Sequence, residues 1–438
     1  MKLRNNAAFV RFWLASTVSD FGTYITTIAL SVLVLVTMDG TALDTGMVNA
    51  ARWAPYLLFG LVAGVWVDGF PRRRVLVAGD LGRGLVLAAI CVLGATGVLS
   101  LPVLLLGMFV FGTLALMSDA AYQSFVPQLV PRPMLTRANA RLQQSDTVAQ
   151  TSGSALAGGL VALVGAPFAL LLDAISYFFS GLVLAGMKQP PQDRAPSRGG
   201  RAIRKSVAEG LRWVYGHAQL GPLAWSTHLW FIGSAMMGAV VPALILNELR
   251  LGALGLGLVM GCAGVGAVIG TTASTRLGGI WGTGRAMVAS RLVQPLAVAM
   301  LALSPLLAAA AVANGPVPAS VAEWQAPLWA AFFLAAAGQF LFGLTLGVEG
   351  PLEMGYRQAV TPDRLIARMS ATLRSVNRGM IVLGAPLGGL IAATAGAAAA
   401  LWIAAAIMLA AGLVLFLSPF RAARVEDQQL SEVEAAAR

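Results

Sequence analysis

Apolar stretches of about twenty residues recur along the whole chain, separated by glycine, proline and clustered charge, and this recurrence decides the fold class. A bilayer core takes roughly 20 helical residues to cross. Twelve stretches reach that length, at 10–37, 47–68, 75–98, 101–125, 141–163, 166–187, 219–246, 252–274, 286–312, 327–351, 371–394 and 396–418. The fifth and eleventh open on polar turns. Strands of a membrane barrel would be about 10 residues long and alternate in polarity. These runs are apolar all round, so the expectation is an all-α membrane protein of twelve transmembrane helices. The first stretch follows MKLRNNAAFVRFW without a small-residue cleavage site, and reads as a span and not a removed signal peptide.

Charge is scarce, at 11% of 438 residues, yet its balance is +11. With a cytoplasmic N-terminus, 24 of the 30 lysines and arginines fall in the two termini and the even-numbered connections. Arg250 alone is in an outer connection, and Arg52, Arg83, Arg291, Arg374 and Arg378 lie within spans. This is the positive-inside distribution. The basic balance therefore reports orientation, with both termini cytoplasmic, and excludes nucleic acid as a partner. Cys91 and Cys262 sit singly in apolar spans, which indicates neither a disulfide nor a metal site. The phosphate-cradling pattern G-x-x-x-x-G-K-[ST] does not occur. No cofactor is expected, and energy must come from an ion gradient or from the substrate's own gradient.

The Pro/Gly/Arg-rich segment QPPQDRAPSRGGRAIRKS divides six spans from six. The expected organisation is a six-helix bundle over 1–187, a cytoplasmic linker over 188–215, a second bundle over 216–420 and a polar tail over 421–438. The halves repeat: PRPMLTRANARLQQS aligns with PDRLIARMSATLRSV at an offset of 231, matching Arg137 with Arg368, and Gly158-Gly159 aligns with Gly388-Gly389 at an offset of 230. Six spans repeated in one orientation imply two bundles about an axis along the membrane normal, with room for a substrate between them.

At this point a family resemblance enters. GVWVDGFPRRR resembles the loop motif of the major facilitator superfamily, through Gly64, Asp68, Arg72 and Arg73, departing from it at Gly69 and Pro71. ARWAPYLLFGLVAGVWVDGFPRRRVLVAGDLGRG and AYQSFVPQLVPRPMLTRANARLQQSDTVAQTSGSALAGGL resemble the branch that includes the enterobactin exporter and macrolide efflux proteins. The resemblance implies the major facilitator fold, alternating access, and a bacterial inner-membrane location. Asp68 with Arg72, Arg73 and Arg74 is then expected to form a cytoplasmic gate; a helix cap beside a positive-inside anchor is the alternative.

Ionisable residues within spans are costly and point to function. Asp20, in ASTVSDFGTYITT with Ser16 and Tyr24, is the candidate for proton or substrate binding; a structural hydrogen bond is the alternative. Asp119, Glu349, Glu353 and Arg357 lie toward the cytoplasmic ends of spans and suit gate or structural pairing, with Arg72, Arg137 and Arg357 as candidate partners; a role in the cavity is the alternative for the acids. Arg141, Gln143, Gln144, Asp146 and Gln150 make span five polar, as Arg374, Asn377 and Arg378 do span eleven; they serve as inter-helix glue or in gating, and Asp146 is also a coupling candidate. Asp80 and Arg83 are spaced to pair on one helical face. Trp225 and His228 on span seven are candidates for substrate contact, with a hydrogen-bonded packing role as the alternative for His228. GSALAGG (Gly153, Gly158, Gly159) resembles the glycine-rich motif of exporters, and GAPLGG (Gly384, Gly388, Gly389) is its counterpart; small residues also serve close helix packing.

With two histidines, isolated cysteines and scattered acids, no catalytic cluster is present and an enzyme is not expected. The expectation is a proton-coupled exporter of amphipathic small molecules, such as an antibiotic, siderophore or related metabolite, acting as a monomer with protons and the lipid bilayer as its other partners. Lipid or lysolipid flipping, import by the same fold, and sensing without transport are the rivals.

Overall fold

In the computed structural model, residues 3–131, 134–187, 200–314 and 324–424 are described; the side chains of Arg4, Gly64, Val65, Asp68, Gln123, Ser124, Thr136, 200–206, 310–314, Asp363, Arg364 and Ala367 are not. Thirteen α-helices follow one another among these residues: α1 (Ala7–Val32), α2 (Ala42–Asp68), α3 (Arg72–Ala95), α4 (Leu101–Leu129), α5 (Leu135–Val164), α6 (Ala166–Ala185), α7 (Gly200–Gly216), α8 (Leu220–Ala243), α9 (Gly252–Trp281), α10 (Thr283–Asn314), α11 (Ala326–Ala359), α12 (Asp363–Ala395) and α13 (Ala397–Phe416). Every apolar stretch expected from sequence lies on one of them. Eleven are long and apolar enough to cross a membrane, counting described residues. The stretch at 47–68 lies on α2, whose apolar end contains undescribed side chains.

Local chemistry sets the helix ends. Asn6 caps α1 by accepting from the Phe9 N–H, and Thr41 with Asp44 forms a reciprocal capping box on α2. Gly165 and Gly396 take φ of +82° and +90° to turn α5 into α6 and α12 into α13, a backbone region that favours glycine. They keep the offset that relates Arg137 to Arg368. A second symmetry is invisible to composition: α1 and α8 both end in one π-helical turn, Leu33–Thr37 and Leu244–Glu248. Each is followed by a non-glycine residue at positive φ, Asp39 at 49° and Arg250 at 53°.

Packing falls into two groups of neighbours. The helices α1, α2, α3, α4, α5 and α6 pack chiefly as α3 on α6, α2 on α4, α1 on α5 and α6, and α3 on α4; among α8–α13 the main pairs are α11 on α9 and α10, α13 on α8 and α10, and α12 on α8. Two seams join the groups, α2 on α12 and α5 on α9. Part of the segment expected as a plain linker is the amphipathic helix α7, which packs on α12 and α8, while 188–199 fall outside the described residues. After α13, Phe420 is buried against Tyr356, and the tail beyond residue 424 is outside the description.

Candidate functional site

A cavity of about 540 Å³ lies among α1–α6, within the roughly 300–1,000 Å³ of small-molecule sites. It runs from Arg52 and Phe111 in the middle of their helices to Leu76, Leu142 and Leu184 near the end that carries the N-terminus. Four aspartates line it. Three are held: Asp80 pairs with Arg83 and accepts from the Ser180 hydroxyl at 2.6 Å, Asp119 accepts from the Tyr56 hydroxyl at 2.7 Å, and Asp146 accepts from Tyr24 and Gln143 at 3.2 Å each. Asp20 lines the same cavity and has no hydrogen-bond or ion-pair partner among the described residues. Ser16, one turn before Asp20, faces the cavity as expected of i, i+4 neighbours, whereas Tyr24 reaches the site only through Asp146.

Asp119 stands in the cavity wall, the alternative stated for it, where it accepts from Tyr56. Glu349 stands in a structural pair. With 2% side-chain exposure it pairs with Arg291, itself at 1%, and accepts from Gln294 at 3.3 Å; Glu353 pairs with Arg357 and lies 3.7 Å from Arg291. This four-charge cluster borders a second cavity, of about 270 Å³, among α8, α10, α11 and α12. Burying two acids with two bases avoids the several kcal/mol that each isolated charge would cost.

Of the expected cytoplasmic gate, the Gly64 and Asp68 side positions fall outside the described residues. Arg72, Arg73 and Arg74 form the first turn of α3 and not a loop, with Arg73 donating to the Met187 carbonyl and Arg74 exposed. Trp225 does not meet either cavity: it is 59% exposed on the outside of α8, tilted against Tyr215 and edge-to-face with His228. His228 is buried, its Nδ1 donating to Asn377 Oδ1 at 2.7 Å and its Nε2 accepting from the Tyr215 hydroxyl at 2.8 Å. It ties α7, α8 and α12 together, which is the packing alternative stated for it.

The glycines sort by what a Cβ would strike. At Gly158 it would lie 2.6 Å from the Ala253 carbonyl oxygen and 2.7 Å from Gly257 Cα, so α5 and α9 touch backbone to backbone. At Gly389 it would lie 2.4 Å from the Ala42 carbonyl oxygen on α2. Gly384 and Gly388 face α8, and Gly153 faces Tyr24 on α1. Gly159 departs from the packing expectation, with its nearest neighbour 3.9 Å away. Both seams are thus tight at the end away from the N-terminus.

Sequence reasoning missed Asp173 on α6. It is fully buried, accepts from Thr26 at 2.5 Å and Ser176 at 2.9 Å, and ties α6 to α1. The criterion that singled out Asp20, one acid in an apolar run, applies equally to LLLDAISY. Tyr56, Tyr122 and Tyr177 in the cavity wall carried no signal beyond aromaticity.

A sequence profile described as transmembrane secretion effector matches residues 3–331. The chain belongs to that family of the major facilitator superfamily. Its members are transporters and not enzymes. The multidrug efflux pump Tap of Mycobacterium tuberculosis is 28% identical over 190 residues, covering 40% of this chain and 44% of the pump. The staphyloferrin A transporter of Staphylococcus aureus is 28% identical over 173 residues, 39% of this chain and 43% of that protein. The aligned segments thus span less than half of either relative. Among solved structures, the inward-facing state of a bacterial ferroportin homologue superposes with a TM-score of 0.70 at 17% identity, over 95% of this chain and 99% of that one. Its outward-facing state superposes at 0.59, also at 17% identity, over 93% and 98%. These superpositions show that the chain has the major facilitator fold.

Proposed function

We propose that this transporter is a proton-coupled exporter of amphipathic small molecules, built of twelve spans in two six-helix bundles joined through α7, with both termini on the cytoplasmic side of a bacterial inner membrane. The observation that carries the reading is the cavity wall on which Asp20 stands without a partner beside the Tyr24-bound Asp146. An unpartnered acid in a membrane cavity is a proton acceptor poised to exchange with a substrate. Amphipathic cargo fits the rest of the wall, where Trp53, Phe111 and Tyr122 alternate with polar groups.

Alternating access follows from the seams. With Gly158 on α9 and Gly389 on α2, the ends away from the N-terminus are tightly packed, and in the proposed orientation these are the extracellular ends. Parting these seams and closing the Asp68–Arg74 region would present the same cavity outside. The similarity to an efflux pump and a siderophore transporter supports small-molecule cargo of this kind.

The test is proton release on substrate addition to the detergent-solubilised protein, for wild type and Asp20→Asn, with hydrophobic antibiotics and siderophores as probes. Release that disappears in Asp20→Asn is expected. Tight binding without release in either protein would overturn proton coupling through Asp20.

A further inference from the structure

Two arginines on helices that face each other across the α2–α12 seam share one aromatic ring and lack a carboxylate. Arg52 on α2 holds its guanidinium 5.5 Å from the Trp53 ring centroid and 5.4 Å from that of Phe111. Arg378 on α12 lies 4.1 Å from the same Trp53 ring and 6.0 Å from Phe231 on α8. Neither makes an ion pair or hydrogen bond with a described residue. Of the cavity acids, Asp119 accepts from Tyr56, Asp80 pairs with Arg83 and Asp146 accepts from Tyr24, while Asp20 on α1 pairs with neither arginine among the described residues. Aromatic faces offset only part of the repulsion between two like charges held around one indole. Arg52 and Trp53 line the cavity, and Arg378 reaches the Trp53 ring from across a seam where Gly60 abuts Ser375 and Gly379 abuts Leu57.

We propose that the carried molecule bears an oxyanion, a carboxylate or its sulfonate or phosphate analogue, that docks between Arg52 and Arg378, with its apolar body against Phe111 and Phe231. Guanidinium forks match planar oxyanions in geometry and charge, which an ammonium or a neutral polar group does not. The anion also removes the repulsion across the seam, so its arrival holds α2 and α12 together. The assignment rests on the reading of the chain as a carrier of amphipathic small molecules and narrows it to anionic ones. It leaves the proton to Asp20, on a different wall.

The experiment is titration calorimetry on the purified full chain in neutral detergent with four probes of one apolar body: 2-naphthoate, 2-naphthalenesulfonate, 2-naphthylmethanol and 2-naphthylmethylammonium. Wild type should bind the two anions at least tenfold more tightly than the alcohol or the ammonium. Arg52→Gln and Arg378→Gln should each erase that preference, and Arg378→Lys should keep part of it. Equal or tighter binding of the ammonium by wild type, no binding of either anion, or a preference that survives in folded Gln variants would each overturn the site. The wild-type preference stands as a test even where a variant fails to fold. Proton-driven flux in proteoliposomes separates the two readings: an anion preference without flux defeats the exporter and leaves the site, whereas flux indifferent to both arginines defeats the site and leaves the exporter.

Discussion

Replacing Gly158 by alanine should push the transporter out of the arrangement described above. The added Cβ would stand 2.6 Å from the Ala253 carbonyl oxygen and 2.7 and 3.0 Å from Gly257 backbone atoms. Ordinary contact begins near 3.4 Å, and none of these atoms belongs to a side chain that can rotate away. The helices must therefore part by several tenths of an ångström, and overpacking of this kind costs about 1–3 kcal/mol. The penalty falls on the state with α5 against α9 and vanishes when they separate, so the population ratio should shift by roughly 5–150-fold. The readout is alkylation of Ala42→Cys, a buried position in the other seam under Gly389, in a background with Cys91 and Cys262 replaced by alanine. If the proposed alternating access opens both seams together, Gly158→Ala should raise that rate severalfold. An unchanged rate with an unchanged thermal midpoint would refute the backbone contact as the element that sets the state.

Four further outcomes follow from the same geometry. Glu349→Gln leaves the buried Arg291 only the more distant Glu353, at 3.7 Å, and should destabilise the protein by about 3 kcal/mol in thermal unfolding, while the double change Arg291→Met with Glu349→Leu recovers most of it. Arg250 sits at φ 53°, a region asparagine tolerates better, so Arg250→Asn should raise stability by up to about 1 kcal/mol in the same assay. Tyr215→Phe leaves His228 Nε2 without its donor and should loosen α7, seen as faster hydrogen exchange over residues 207–216 by mass spectrometry. His217, outside the membrane, accepts the Gln219 and Leu220 N–H groups on Nδ1 at 3.2 Å, and partial burial lowers its pKa. The unfolded chain then takes up the proton first, so this contribution is complete above the ordinary histidine pKa of about 6.5 and is lost as pH falls through the lowered folded value. Melting temperatures from pH 8 to 5 should therefore fall less in His217→Asn than in wild type.

The helical membrane fold was legible in sequence because hydropathy is a local quantity: some twenty consecutive residues suffice to place a span, whatever surrounds it. The same holds for the repeat, since the offset between Arg137 and Arg368 reappears between the turn glycines Gly165 and Gly396. Asp20 could be singled out on cost alone. What a side chain meets was not legible, because that depends on how each helix is rotated about its axis and on which neighbour fills the space. A rotation of one residue separates Gly158, locked on α9, from Gly159, with room around it. Rotation likewise turns Trp225 outward and His228 inward on one helix. Partners distant in sequence finish the site: Arg291 and Glu349 neutralise each other from different helices, Tyr56 donates to Asp119, and Arg378 comes to rest on Trp53. Sequence alone determined that this chain crosses a membrane in repeated halves and carries charge at particular depths. Only tertiary packing decided which of those charges are paired, and that Asp20 and Arg52 line the cavity with no ion pair among the described residues, because pairing is a property of distance between helices and not of order along them.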